Sequence, residues 1–131
     1  MRILIVDDNE DAADSLAALL SLDGYEVRVA YTGESALEFA REIPPDVVFL
    51  DIGMPEMDGL EVCRRLRSDC APNEKRHVIV AVTGWGTQAD RQRTREAGFD
   101  AHLVKPVEPH ALQGLLQAIE RANPARQRPC K

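Results

Sequence analysis

Five side chains in this 131-residue sequence have the types and the placement to handle a metal ion and an anion together. Asp7 and Asp8 follow the apolar run 3–6, Asp51 follows 47–50, Thr83 follows 78–82, and Lys105 follows Leu103-Val104. Three carboxylates gathered at one place repel each other and raise each other's pKa unless a cation neutralises them. An all-oxygen acidic cluster suits a hard cation such as Mg2+, which keeps several waters and takes few carboxylates. A lysine and a hydroxyl on the other side suit an anion beside that metal, and phosphate fits that description. Each motif alone has a plainer use. Asp7-Asp8 could cap a helix, Asp51 could open the turn-rich stretch 53–59, and Lys105-Pro106 could be a surface turn. Their joint appearance at four strand ends favours the chemical reading.

For these residues to meet, the runs before them must be neighbouring strands. The runs 3–6, 47–50 and 78–82 are continuous and rich in β-branched residues, which suits strands buried on both faces of a parallel sheet. The run 25–30 alternates, with Tyr25, Val27 and Val29 on one side and Glu26 and Arg28 on the other, as in an edge strand. Helical stripes lie between the runs: Ala13, Leu16, Ala17 and Leu20; Ala36, Leu37, Ala40 and Ile43; Leu60, Cys63 and Leu66; Leu112, Leu115, Leu116 and Ile119. The segment 88–97 is weakly amphipathic, with Ala89 and Ala97 apolar and Arg91, Arg93 and Arg95 on a solvated face. Gly24 and Gly98 stand where helices should stop. Strand and helix thus alternate five times, which implies a parallel sheet covered on both faces. Such a sheet binds its ligand outside the carboxyl ends of its strands, where the five residues stand.

Composition narrows the class. An apolar share of 44% and a length of 131 residues fit one folded domain, expected over 1–122, with a flexible basic tail over 123–131. The net charge of −6 and a pI near 5.0 argue against direct nucleic-acid binding. Cys63, Cys70 and Cys130 have no metal spacing and suit reduced thiols. His77, His102 and His110 lack the spacing of zinc ligands. No apolar run reaches the length of a membrane span, and 3–6 is too short for a signal-peptide core, so the expected location is the cytoplasm.

The motifs resemble those of a known family. Asp7-Asp8 after ILIV, VVFLDIGMPEMDG around Asp51, AVTG with Thr83, and LVKP with Lys105 look like the receiver domain of two-component response regulators. The resemblance covers about 2–121. The wording TGWG and REAGFDAHLVKPV is similar to receivers of hybrid sensor kinases. It implies a flavodoxin-like α/β three-layer sandwich, with five parallel strands in the order 2-1-3-4-5 and five helices. It implies that Asp51 accepts a phosphoryl group from a sensor histidine kinase or a histidine phosphotransfer protein. Asp8, Asp51 and the backbone carbonyl of Gly53 would bind Mg2+ directly, and Asp7 through water. Lys105 and Thr83 would contact phosphoryl oxygens, and a downstream protein would read the altered face. Positioning and charge neutralisation are what phosphoryl transfer asks of a protein.

Three departures from the family pattern stand out. His102 replaces the Tyr or Phe that usually changes rotamer on activation. Gly53 and Trp85 flank the site at positions linked in the family to phosphoryl lifetime. The sequence after the last helix has no effector-domain pattern, and with Met1-Arg2 directly before the first strand the expectation is a stand-alone regulator, the alternative being a receiver cut from a hybrid kinase. The rival reading is a metal-dependent phosphohydrolase with Asp51 as nucleophile. Haloacid-dehalogenase-like enzymes put that Asp after the first strand and a second acid two residues on, where this chain has Gly53. A flavin-binding protein would need a hydroxyl-rich phosphate loop after the first strand, and none is present.

Overall fold

Ten elements alternate strand and helix: β1 (Arg2–Val6), α1 (Glu10–Leu22), β2 (Glu26–Ala30), α2 (Gly33–Glu42), β3 (Val47–Asp51), α3 (Gly59–Ser68), β4 (Val78–Thr83), α4 (Gln88–Ala97), β5 (Ala101–Val104) and α5 (Pro109–Ala122). They come from a computed structural model that describes residues 2–52, 59–68, 78–84, 88–105 and 107–122. The expected positions Gly53, Cys70, His77, Trp85 and Cys130, and the tail 123–131, lie outside the described residues.

All five strands are parallel, in the order β2-β1-β3-β4-β5, as the resemblance implied. β3 is buried along its whole length, and β1 and β4 almost so. Their continuous apolar runs follow from being covered on both faces. On one face Leu4, Val6, Val48, Leu50 and Ile79 pack with Leu37 of α2 and Val62, Cys63 and Leu66 of α3. On the other, Ile3, Ile5, Phe49 and Val80 pack with Leu20 of α1 and Leu112 and Leu116 of α5. Burying a side chain such as Phe49 or Leu116 contributes about 1.5–3 kcal/mol each. The edge strand β2 keeps its alternation: Val27 and Val29, with Tyr25 just before the strand, pack inward, while Arg28 reaches Glu42 at 3.7 Å and stacks over Phe39 at 4.1 Å.

Gly24 (φ 89°) and Gly98 (φ 106°) end α1 and α4 in the left-handed conformation that glycine adopts without strain. After α4, Gly98 N donates to Arg95 O and Phe99 N to Thr94 O, which closes the helix. α2 stops differently. Its stripe does not extend to Ile43, which is extended and 44% exposed. The reason is local: Ile43 precedes Pro44, and a residue before proline is pushed out of the helical region. α4 also departs from a face lined only by alanines, because Thr94 is buried there.

Candidate functional site

The carboxyl ends of β1, β3, β4 and β5 share one rim, and parallel pairing sets the register of what lies beyond them. Leu50 pairs with Val6, Asp51 with Val82, and Thr83 with Val104, so Asp7, Asp51, Thr83 and Lys105 end adjacent strands. Past the sheet, Asp7 N donates to Ala30 O at 3.1 Å, and Lys105 N to Thr83 O at 2.7 Å. Those two bonds extend the ladder by one residue on each side of the rim and hold both backbones in place.

Asp7 and Asp51 are buried, whereas Asp8 is exposed. Lys105 Nζ donates to Asp7 Oδ2 at 3.0 Å and to Asp51 Oδ2 at 3.3 Å. Asp7 Oδ1 also accepts from Asn9 N at 2.9 Å. Asp7 and Asp8 do not cap α1; Asn9 does, its side chain accepting from Ala12 N at 3.1 Å. The carboxylates are therefore left for the rim. Partial burial alone would lower the Lys105 pKa. The hydrogen bond to Asp7 and the charges of Asp51 and Asp7 outweigh it, and the ammonium titrates above its ordinary 10.5.

One oxygen each from Asp7, Asp8 and Asp51 lies within 4.8 Å of the others. The donor set is carboxylate only, which matches Mg2+ rather than a softer metal. Among the described residues, one ammonium faces three carboxylates, which leaves the cluster short of positive charge. The residues present fit a hard divalent cation.

Thr83 is buried at the end of β4 on the strand beside Asp51. His102 sits on β5 opposite Ala81, its Nδ1 3.5 Å from the Thr94 hydroxyl of α4. Cys63 is buried, as expected, with its thiol directed at Ala97 O at 3.4 Å. His110 is exposed beside Glu108. Sequence reasoning missed Asn9 as the cap and as a partner of Asp7. Its signal was available, because Asn directly before a helical stripe is a preferred N-cap.

Comparison with known proteins agrees with this fold. The response regulator receiver domain family matches residues 3–117. The chain is similar to the response regulator MprA of Mycobacterium avium, with 39% identity over 123 residues, covering 92% of this chain and 51% of the relative. It therefore spans about half the length of that relative. It is 38% identical over 106 residues to the polar-differentiation response regulator DivK of Brucella ovis, covering 80% of this chain and 84% of the relative. Among solved structures, the chemotaxis protein CheY4 of Vibrio cholerae superposes with a TM-score of 0.83 at 30% identity, covering 90% of this chain and 97% of that one. A putative response regulator from Chloroflexus aurantiacus gives 0.82 at 36% identity, covering 90% and 95%.

Proposed function

The chain belongs to the response regulator receiver domain family of two-component signalling, and from that premise we propose that Asp51 is its phosphoacceptor. The observation that supports this most is the Lys105 ammonium held between Asp7 and Asp51 with Asp8 alongside. A carboxylate oxygen of Asp51 attacks the phosphorus of a phosphohistidine on a histidine kinase or phosphotransfer protein. The P–N bond breaks, an acyl phosphate forms, and the donor imidazole keeps the nitrogen electron pair. Lys105 faces buried Asp51 and puts positive charge beside the nucleophile.

Asp8 and Asp51 would hold Mg2+ directly. Asp7 suits a part through water, because both its oxygens already accept hydrogen bonds from the protein. The Gly53 carbonyl, outside the described residues, completes the proposed set. Mg2+ bound there supplies positive charge to the carboxylates and to the transferring group. Lys105 then leaves Asp51 for a phosphoryl oxygen, and the Thr83 hydroxyl donates to another. Any chemistry is confined to this transfer and to hydrolysis of the acyl phosphate, in which water takes the phosphoryl group and Asp51 regains its carboxylate.

The output we propose is a shift of the face formed by α4, β5 and α5. Thr83 moves toward the phosphoryl group, and His102 turns into the vacated space. A protein is the reader of that face, since the acidic chain does not favour DNA. Residues 1–122 form the receiver and 123–131 a basic tail. No helix among the described residues is long and apolar enough to cross a membrane, and we place the domain in the cytoplasm. The phosphohydrolase alternative finds no support, because Asp51 ends the third strand rather than the first and is followed two residues on by Gly53.

Acetyl phosphate with Mg2+ should add one phosphoryl group by intact mass, and Asp51→Asn should abolish it. Full labelling of the Asn variant would move the acceptor elsewhere.

A further inference from the structure

Gly59 opens α3, and a Cβ there would lie 2.6 Å from the carbonyl oxygen of Asp51, 2.6 Å from Cα of Ile52 and 3.0 Å from the carbonyl carbon of Asp51. All three are backbone atoms where β3 runs out. Ordinary contact starts at 3.4 Å, so one methyl group would demand a shift of about 0.8 Å.

Both partners are held by packing or pairing. α3 is sunk into the core through Leu60, Val62, Cys63 and Leu66. β3 is paired on both sides, and Ile52 N still donates to Val82 O at 3.3 Å. That last bond lies beyond the final paired residue of β3, so the shift would fall on Asp51 and Ile52. The carboxylate it moves has a hydrogen bond of 3.3 Å to Lys105, which a small displacement breaks.

We propose that Gly59 is a positioning residue for phosphoryl transfer: its missing side chain sets how deeply α3 seats behind Asp51, and so where the Asp51 carboxylate stands against Asp8 and Lys105. This rests on the reading of Asp51 as phosphoacceptor. Gly59 touches no reacting atom; it acts through the backbone of the residue that does. A misplacement of roughly 1 Å at a reacting group costs on the order of 100-fold in rate.

The test compares Gly59→Ala with two controls. Gly114 of α5 has open space around the place a Cβ would take, with nothing within 4 Å, so Gly114→Ala gives a helix-favouring background in which to place Gly59→Ala. Leu116→Ala opens the core of the opposite layer, away from α3. Urea denaturation gives the folded fraction of each variant. Acetyl phosphate at saturating Mg2+ then gives the phosphorylation rate per folded molecule, and a Mg2+ titration gives the metal affinity.

The expected result is a rate about 10- to 100-fold lower and a weaker Mg2+ affinity for Gly59→Ala. Leu116→Ala should lose stability and keep both constants per folded molecule. A Gly59→Ala protein that is destabilised but phosphorylated at the wild-type rate would overturn the proposal. So would its failure to fold in the Gly114→Ala background, which would make Gly59 a requirement of the fold. An unlabelled wild type would instead sink the phosphoacceptor reading, and the Mg2+ titration of Gly59→Ala would still decide whether Gly59 sets the rim.

Discussion

The two edges of the sheet each carry a half-buried ion pair, built for different ends. At the carboxyl edge Lys105 stands between Asp7 and Asp51. At the amino edge Arg67, near the end of α3, donates through Nε and Nη2 to Gly98 O at 3.1 and 2.7 Å, and through Nη2 to Asp100 Oδ2 at 2.6 Å. The same Asp100 oxygen accepts from Ile79 N at 2.9 Å. Arg67 thus fastens α3 to the turn before β5 and to the start of β4, pairing a cation with an anion. The planar guanidinium suits that fixed fork. At the carboxyl edge, among the described residues, one compact ammonium faces a carboxylate cluster that it does not neutralise. A pair that closes its charge locally is a brace; a cluster that leaves charge over is a place where a cation and a phosphoryl group can enter.

The sharpest way to break this contrast is to exchange the losses. Lys105→Met should slow Asp51 phosphorylation by acetyl phosphate about 100-fold, the cost of one donor to a developing oxyanion. Arg67→Met should leave the rate per folded molecule within about twofold of wild type. Equal rate losses in stopped reactions of the two variants would merge the two edges into one function.

Stability should follow the reverse order. Removing Arg67 takes a donor from the Gly98 carbonyl and from the Asp100 carboxylate, whose side chain is only 26% exposed, so Arg67→Met should cost about 2 kcal/mol in urea denaturation. A loss below about 0.5 kcal/mol would put it with surface pairs.

A smaller effect concerns the excess charge. Asp8→Asn removes repulsion from the rim without breaking a hydrogen bond seen at Asp7 or Asp51, and without metal it should stabilise the protein by about 0.5 kcal/mol. Mg2+ should reverse the ranking, because it stabilises the chain that binds it in proportion to its occupancy. Melting curves with and without Mg2+ that rank the two proteins alike would remove Asp8 from the metal set.

The smallest effect is alkaline. The Lys105 pKa is raised in the folded state, so its pairing supports stability fully below pH 10.5 and loses it as pH climbs through the folded value. The stability gap between wild type and Lys105→Met should be level up to about pH 10.5 and narrow above it. The phenols of Tyr25, raised by burial and its bond to Glu120, and of Tyr31, raised by its bond to Asp14, are present in both proteins and cancel. The contribution of Arg67 should not change, since guanidinium keeps its proton throughout. A gap that narrows below about pH 9 would point to another group.

Much of this was legible because strand burial and strand ends are written locally. The unbroken runs 3–6, 47–50 and 78–82 could only be strands covered twice, and the polar residue that ends each had to surface at one rim. The glycine stops at Gly24 and Gly98 were equally local. The stripe through Ile43 misled because periodicity was followed past the point where Pro44 had already ended the helix. Arg67 was not legible at all: its partners lie 31 and 33 residues on, and nothing near it in sequence marks them. Gly59 looked like one more turn residue, because its neighbour at the end of β3 is a matter of packing.

Lys105 and Asp7 are 98 residues apart, just past the last strand and just past the first. No partly folded chain that lacks either strand can assemble the rim. Whatever binds there selects only molecules in which β1, β3 and β5 are all in place, so its free energy acts on global opening and not on local fraying. In native-state hydrogen exchange, amides of the central strands should slow by the full binding factor, while those near the helix ends, which exchange through shallow openings, should keep their rates. Occupancy of a surface rim would then be readable in the slowest protons of the buried core.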